Sequence, residues 1–387
     1  MESKIVSSIS IIYAGAAGVA SIAVVFRQSI LIGYMLLGIL LGPYGFAIIG
    51  DHVIIEHIGQ VGMIFLLFLA GLHLDPNSLV PQLQKSLLIT LVASVTFAIA
   101  GFLVCTLCGY TSNDAMIVGA SMMFSSTLVG LKLLPNDMLH QQHIGEMLIS
   151  ILIIQDIIAI ASMMFIQNIG YVDMSYFEMI RVALALPLTL VGAFILEYYL
   201  LSKLFRLFSH VREYLFVLSL GWCLALSEVA SWLGMTHEIG AFIAGVTIAT
   251  GSIATYLAEC FNPIRDFFLV LFFFSIGANL NVGLLVQIKW SILLLSGVAV
   301  FLKPLIYQGM ISLSGNYSVS WELGVRLGQA SEFSLILANL AIGANLMSET
   351  ASVLVQAVVM VSFFVSSYWV SKRFETPSKI ESMEDED

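Results

Sequence analysis

One carboxamide and one carboxylate, Gln155 and Asp156, interrupt the otherwise apolar run 151–160, ILIIQDIIAI. The apolar character extends from about residue 145 to 167, close to the roughly 20 residues at about 1.5 Å each that cross a bilayer core of about 30 Å. Asp156 falls near the midpoint. A carboxylate at that depth costs on the order of 2.5–3.5 kcal/mol on insertion scales, so it faces a polar cavity and takes part in moving ions or protons.

Three other apolar runs carry polar residues at their centres. Ser125, Ser126 and Thr127 stand together in one, and Gly328, Gln329, Ser331 and Glu332 in another. In a third, Lys303 lies at mid-depth, where snorkelling is the ordinary alternative to a partner or a water-filled space, and Pro304 behind it should kink the helix. The serine and threonine hydroxyls have an ordinary alternative use, bonding back to a carbonyl of the preceding turn. Four interruptions at one depth on four spans are harder to assign to local satisfaction than any one of them.

Other reactive side chains are less informative. Glu322 and Arg326 are spaced to pair along one helix. Asn262, Pro263 and Arg265 mark the start of another span, and Arg265 is a candidate partner for Glu332. The CxxC at Cys105 and Cys108 lies on an apolar run and reads as packing rather than redox or metal chemistry. The stretch THEIG at 236–240 lacks the second histidine of a zinc-protease motif. No enzyme signature appears, and no cofactor is expected beyond a monovalent cation at Asp156.

The elements that position these residues follow from composition. A chain of 387 residues that is 59% hydrophobic and 10% charged has no soluble core of ordinary make-up. The reading is an all-α polytopic membrane protein with about thirteen transmembrane helices. Their expected spans are 5–26, 30–49, 57–74, 86–109, 114–134, 145–167, 178–200, 214–233, 237–254, 263–281, 290–313, 320–343 and 350–371. Basic residues then collect in every second connector, which puts the C-terminus in the cytoplasm and the N-terminus outside. Residues 372–387 read as an acidic, solvated cytoplasmic tail.

A faint internal echo pairs FLLFLAGLHLD at 65–75 with LFFFSIGANLN at 271–281. These are the third and tenth spans, of opposite orientation, which is the pattern of an inverted-topology repeat. The repeat makes the 114–134 and 320–343 spans counterparts. Both lose apolar character at their centres, as expected of two crossing broken helices whose unwound backbone is exposed to an ion.

On these residues the chain resembles the second monovalent cation:proton antiporter family, of the Kef and NapA type. The motifs are IGYMLLGILLGPYG at 32–45, GLHLD at 71–75, SST at 125–127, QD at 155–156, NPIRDFFLVLFFFSIG at 262–277, Lys303, and GQASEFS at 328–334. The resemblance implies an NhaA- or NapA-like fold spanning residues 1–371, with a mobile core (86–167 and 290–371), a dimerisation panel (5–74 and 214–281) and a linker helix (178–200). It implies a homodimer in the inner (cytoplasmic) membrane, working by an elevator movement. Asp156 resembles the family's ion-binding aspartate. Gln155 resembles the residue that Kef-type potassium transporters carry where electrogenic members have a second aspartate. Ser125, Ser126 and Thr127 match the unwound crossing, and Lys303 matches a lysine that pairs with the acidic motif in some relatives. His73 departs from the usual glutamate, and 329–332 is a loose version of the usual small-residue run. No nucleotide-binding domain follows the last span, so nucleotide or glutathione control would need a separate regulatory subunit; no nucleic-acid partner is expected.

The expected function is exchange of K+ or Na+ for H+, with both competing for Asp156. One carboxylate beside a neutral Gln155 favours one proton per cation, hence electroneutral exchange. Oxygen ligands suit either alkali cation, and Gln155 tilts the reading toward potassium. Two other transport classes stand against it: a passive cation channel, for which no TVGYG-like filter is present, and a sodium-coupled organic-anion symporter on a related scaffold.

Overall fold

A computed structural model describes residues 2–26, 28–49, 51–72, 76–132, 143–169, 176–208, 210–235, 237–249, 253–313 and 317–374. His73 to Asp75, residues 133–142 and residues 375–387 of the tail lie outside the described residues. Among the described residues every regular element is helical. In chain order these are α1 (Glu2–Val25), α2 (Ile30–Leu41), α3 (His52–Leu72), α4 (Pro76–Leu107), α5 (Ser112–Ser121), α6 (Thr127–Lys132), α7 (His143–Ile169), α8 (Tyr176–Leu196) and α9 (Ser202–Leu207). They continue as α10 (Arg212–Trp232), α11 (His237–Ala249), α12 (Ala254–Ala278), α13 (Val282–Leu285), α14 (Lys289–Gly297), α15 (Lys303–Leu313), α16 (Tyr317–Arg326), α17 (Glu332–Gly343) and α18 (Glu349–Arg373). Six stretches, including Ser86–Leu107, Lys289–Leu313 and Glu349–Arg373, are long and apolar enough to cross a membrane. The molecule is a polytopic membrane protein.

Several boundaries differ from those expected. Helix α2 stops at Leu41, because Gly42 and Pro43 end it and a series of turns follows. Helix α4 begins at Pro76, a residue whose missing N–H costs nothing at the first helical position. Pro263 does not start a helix; it lies inside α12, which runs unbroken from Ala254 to Ala278. Prolines are tolerated inside membrane helices where neighbours compensate for the freed carbonyl.

Contacts divide the chain into two compact units. One comprises Asp51–Val80 and Tyr171–Ser275. Its centre is the pair α3 and α11, which meet backbone to backbone: a Cβ on Gly71 would stand 2.3 Å from the Phe242 carbonyl, and one on Gly245 2.1 Å from that of Phe68. Phe65 stacks on Phe268 at 4.3 Å between centroids, and the Ser275 hydroxyl donates to the Ile55 carbonyl. Arg265 belongs to this unit, its guanidinium 3.4 Å from the Asp266 carboxylate.

The other unit comprises Met1–Gly50, Pro81–Gly170 and Ile276–Asp387. It contains two interrupted helices. The first breaks between α5 and α6, the second between α16 and α17, and both breaks are followed by a serine cap. Ser126 Oγ accepts from Val129 N at 3.1 Å and Ser331 Oγ from Phe333 N at 3.2 Å. An interval of 205 residues separates Ser112 from Tyr317 and likewise Thr127 from Glu332, where the helical halves begin. That interval aligns Ser126 with Ser331, one residue from the register expected from the echo. A third irregularity precedes Pro304, where a π turn spans Val298–Leu302 and Lys303 N donates to the Val298 carbonyl. Proline has no N–H to give and its ring crowds the carbonyl one turn back, so the ladder opens there. Gly324 and Gly328, one turn apart, admit Pro304: added Cβ atoms would meet its carbonyl oxygen at 2.5 Å and its ring at 2.7 Å.

Candidate functional site

The two breaks meet. Ser125 Oγ, in the first, donates to the Leu327 carbonyl in the second at 2.9 Å, and Gln329 Nε2 reaches back to the Ser126 carbonyl at 3.4 Å. Ser334, in the first turn of α17, donates to the Ser121 carbonyl at the end of α5 at 2.6 Å. Side chains thus reach backbone carbonyls at and beside the two breaks, as a buried crossing requires.

Asp156 lies on α7 beside this crossing and is 5% exposed. The Thr127 hydroxyl, at the start of α6, donates between its two carboxylate oxygens at 3.1 and 3.2 Å. Thr127 is half-buried, while Ser125 and Ser126 are fully buried. The acid, one hydroxyl and the N-terminal end of a short helix therefore converge.

Gln155, next along α7, turns toward the first break. Its Oε1 accepts from Ser125 N at 3.0 Å, and its Nε2 donates to the Met123 carbonyl at 2.9 Å and to Tyr307 Oη at 2.6 Å. Lys303 is fully buried. Its ammonium donates to the Phe124 carbonyl at 2.6 Å and the Gln329 carbonyl at 3.0 Å, one from each break, and lies 5.2 Å above the Phe97 ring. Its described hydrogen bonds thus go to freed carbonyls, while the acid that the resemblance gives as its partner is held by Thr127. Glu332 opens α17 with a carboxylate oxygen 3.5 Å from Ser331 Oγ. Arg326 pairs with Glu322 at 2.7 Å along α16, as their spacing requires.

Four participants were not legible beforehand. Tyr307 lies one turn beyond Lys303 on α15 and meets Phe97 edge-on at 5.3 Å. Ser362 Oγ on α18 accepts from Ala330 N at 3.1 Å, and Ser366 Oγ donates to Gln329 Oε1 at 2.9 Å. For Tyr307 and the serines the one available signal was the four-residue spacing, from Lys303 in one case and between the two serines in the other, which places each pair on one helix face.

A buried acid at the meeting point of two broken helices in a polytopic membrane protein defines the class: an ion-translocating membrane transporter. The chain matches the family described as sodium/hydrogen exchanger, transmembrane, over residues 10–374, and it belongs to that family. Its fold is similar to that of the sodium proton antiporter MjNhaP1 from Methanocaldococcus jannaschii at pH 8, with a TM-score of 0.69 and 18% identity over 98% of this chain and 97% of that one. An electron-microscopy map of the same antiporter is similar with a TM-score of 0.67 and 16% identity over 95% and 96% of the two chains. The protein is a cation:proton antiporter, a transporter rather than an enzyme.

Proposed function

We propose that the antiporter exchanges K+ or Na+ for H+ at Asp156, in an inner (cytoplasmic) membrane and as a member of the Kef and NapA type. The observation that carries this reading is the Thr127 hydroxyl on the Asp156 carboxylate beside two meeting breaks. A protonated carboxyl cannot coordinate a cation, and a bound cation repels the proton, so the two species exclude each other at one pair of oxygens. The Thr127 hydroxyl and backbone carbonyls freed by unwinding supply further oxygen ligands of the kind alkali cations take. Lys303 is engaged by two carbonyls and Gln155 is uncharged, which supports Asp156 as the exchanging group and one proton per cation.

Gln155 in the QD pair favours potassium; the sodium proton antiporter of similar fold keeps sodium as the second reading. The elevator reading assigns residues 86–167 and 290–371 to a moving core and residues 5–74 and 214–281 to a homodimer panel, with the C-terminus cytoplasmic. In proteoliposomes with an imposed pH gradient, addition of KCl or NaCl should dissipate the gradient, and Asp156→Asn should abolish the response. Flux through wild-type protein that ignores the pH gradient would instead favour a channel.

A further inference from the structure

Both breaks are braced from a neighbouring long helix, and the second brace lies wholly outside the residues assigned to ion binding. We propose that Ser362 and Ser366 on α18 are positioning residues for exchange, holding the second break so that Gln329 supports the Ser126 carbonyl next to Thr127 and Asp156. The inference rests on the exchange reading above.

The two breaks use their freed groups in matching ways. Ser125 N donates to Gln155 on α7, and Ala330 N, at the 205-residue interval, donates to Ser362 on α18. The carbonyls of Phe124 and Gln329, related by the same interval, share the Lys303 ammonium. Ser362 Oγ also donates to the Val359 carbonyl at 3.0 Å, so its one proton is committed and its rotamer fixed. Ser366 completes the brace: its hydroxyl donates to Gln329 Oε1 on another element. Many hydroxyls bond back along their own helix, as Thr90, Thr96, Thr106, Thr189 and Ser219 do to the carbonyl four residues earlier. Ser366 departs from that habit. With Oε1 held, the Gln329 amide has one orientation, and its Nε2 faces the Ser126 carbonyl. Gln329, Ser362 and Ser366 are at most 2% exposed. The chain of contact from α18 to the acid is therefore Ser366 to Gln329, Gln329 to Ser126, and Ser126 to its neighbour Thr127.

The test uses full-length protein in proteoliposomes carrying a pH dye, with KCl and NaCl titrated separately. Ser366→Ala should raise the cation concentration for half-maximal exchange by roughly two- to tenfold, the effect of one net neutral hydrogen bond, with the maximal rate little changed. Ser366→Thr, which keeps the hydroxyl, should recover the wild-type value. Ser362→Ala, which frees Ala330 N, should shift the same quantity in the same direction and carries the test if Ser366→Ala is not recovered folded. An unchanged half-maximal concentration, a change confined to the maximal rate, or a threonine variant no better than alanine overturns the proposal. Wild type and Asp156→Asn run alongside: exchange retained by Asp156→Asn removes the exchange reading itself, whatever the serine variants do.

Discussion

Replacing Gln155 by glutamate tests whether this residue is a neutral placeholder for an acid or the brace of the first break. The amide makes one accepted and two donated bonds, to Ser125 N, the Met123 carbonyl and Tyr307 Oη. In Gln155→Glu the accepted bond survives and the Tyr307 hydroxyl can turn to donate. The Met123 carbonyl has no such escape and faces a carboxylate oxygen at the 2.9 Å now spanned by the amide. An unsatisfied buried acceptor costs about 1–3 kcal/mol, and an unpaired buried charge beside Asp156 adds several more. A total of roughly 3–5 kcal/mol is a large share of the 5–15 kcal/mol that usually separates folded from unfolded states. Thermal unfolding in detergent should therefore begin at lower temperature, and exchange in proteoliposomes should fail near neutral pH. Acidification should recover part of the stability, because a neutral carboxylic acid has one proton to give the Met123 carbonyl. A variant that unfolds with the wild type and exchanges at its rate would refute the bracing role.

Two further substitutions probe the site and the scaffold. Thr127→Val keeps the shape but removes the hydroxyl from both Asp156 oxygens; with about 1.5–3 kcal/mol in a hydrogen bond to a charged group, apparent cation affinity should fall about tenfold or more, while Thr127→Ser should lose little. Gly245→Ala would place a methyl 2.1 Å from the Phe68 carbonyl, so α3 and α11 must separate; melting in detergent should show a loss of about 1–3 kcal/mol or more, whereas Gly221→Ala, with nothing within 4 Å of the added carbon, should melt near wild type.

Much of the scaffold was legible because a bilayer imposes length and polarity on every crossing element. Apolar runs located the helices, and the SST and GQAS stretches located the breaks, since serine caps a helix as readily as it interrupts one. Boundaries failed where one residue type has two uses. Pro263, a start signal in the sequence, lies inside α12, and Gly42 with Pro43 ends α2 early. The echo pairs α3 with α12, which end 206 residues apart, while the halves of the broken helices begin 205 residues apart, so one offset does not carry through every element. The partners of Lys303 and Gln155 were not legible at all. They are mostly backbone carbonyls and amides, which carry no residue-type signature, and Tyr307 and Ser366 become participants through which way their helices face.

The central claim is that one carboxylate is shared in turn by a proton and a cation. Adding K+ or Na+ to purified protein in weakly buffered detergent solution, with a pH indicator present, measures that competition directly. Proton release should be saturable, approach roughly one proton per chain, and vanish in Asp156→Asn. Release that persists undiminished in Asp156→Asn would contradict it.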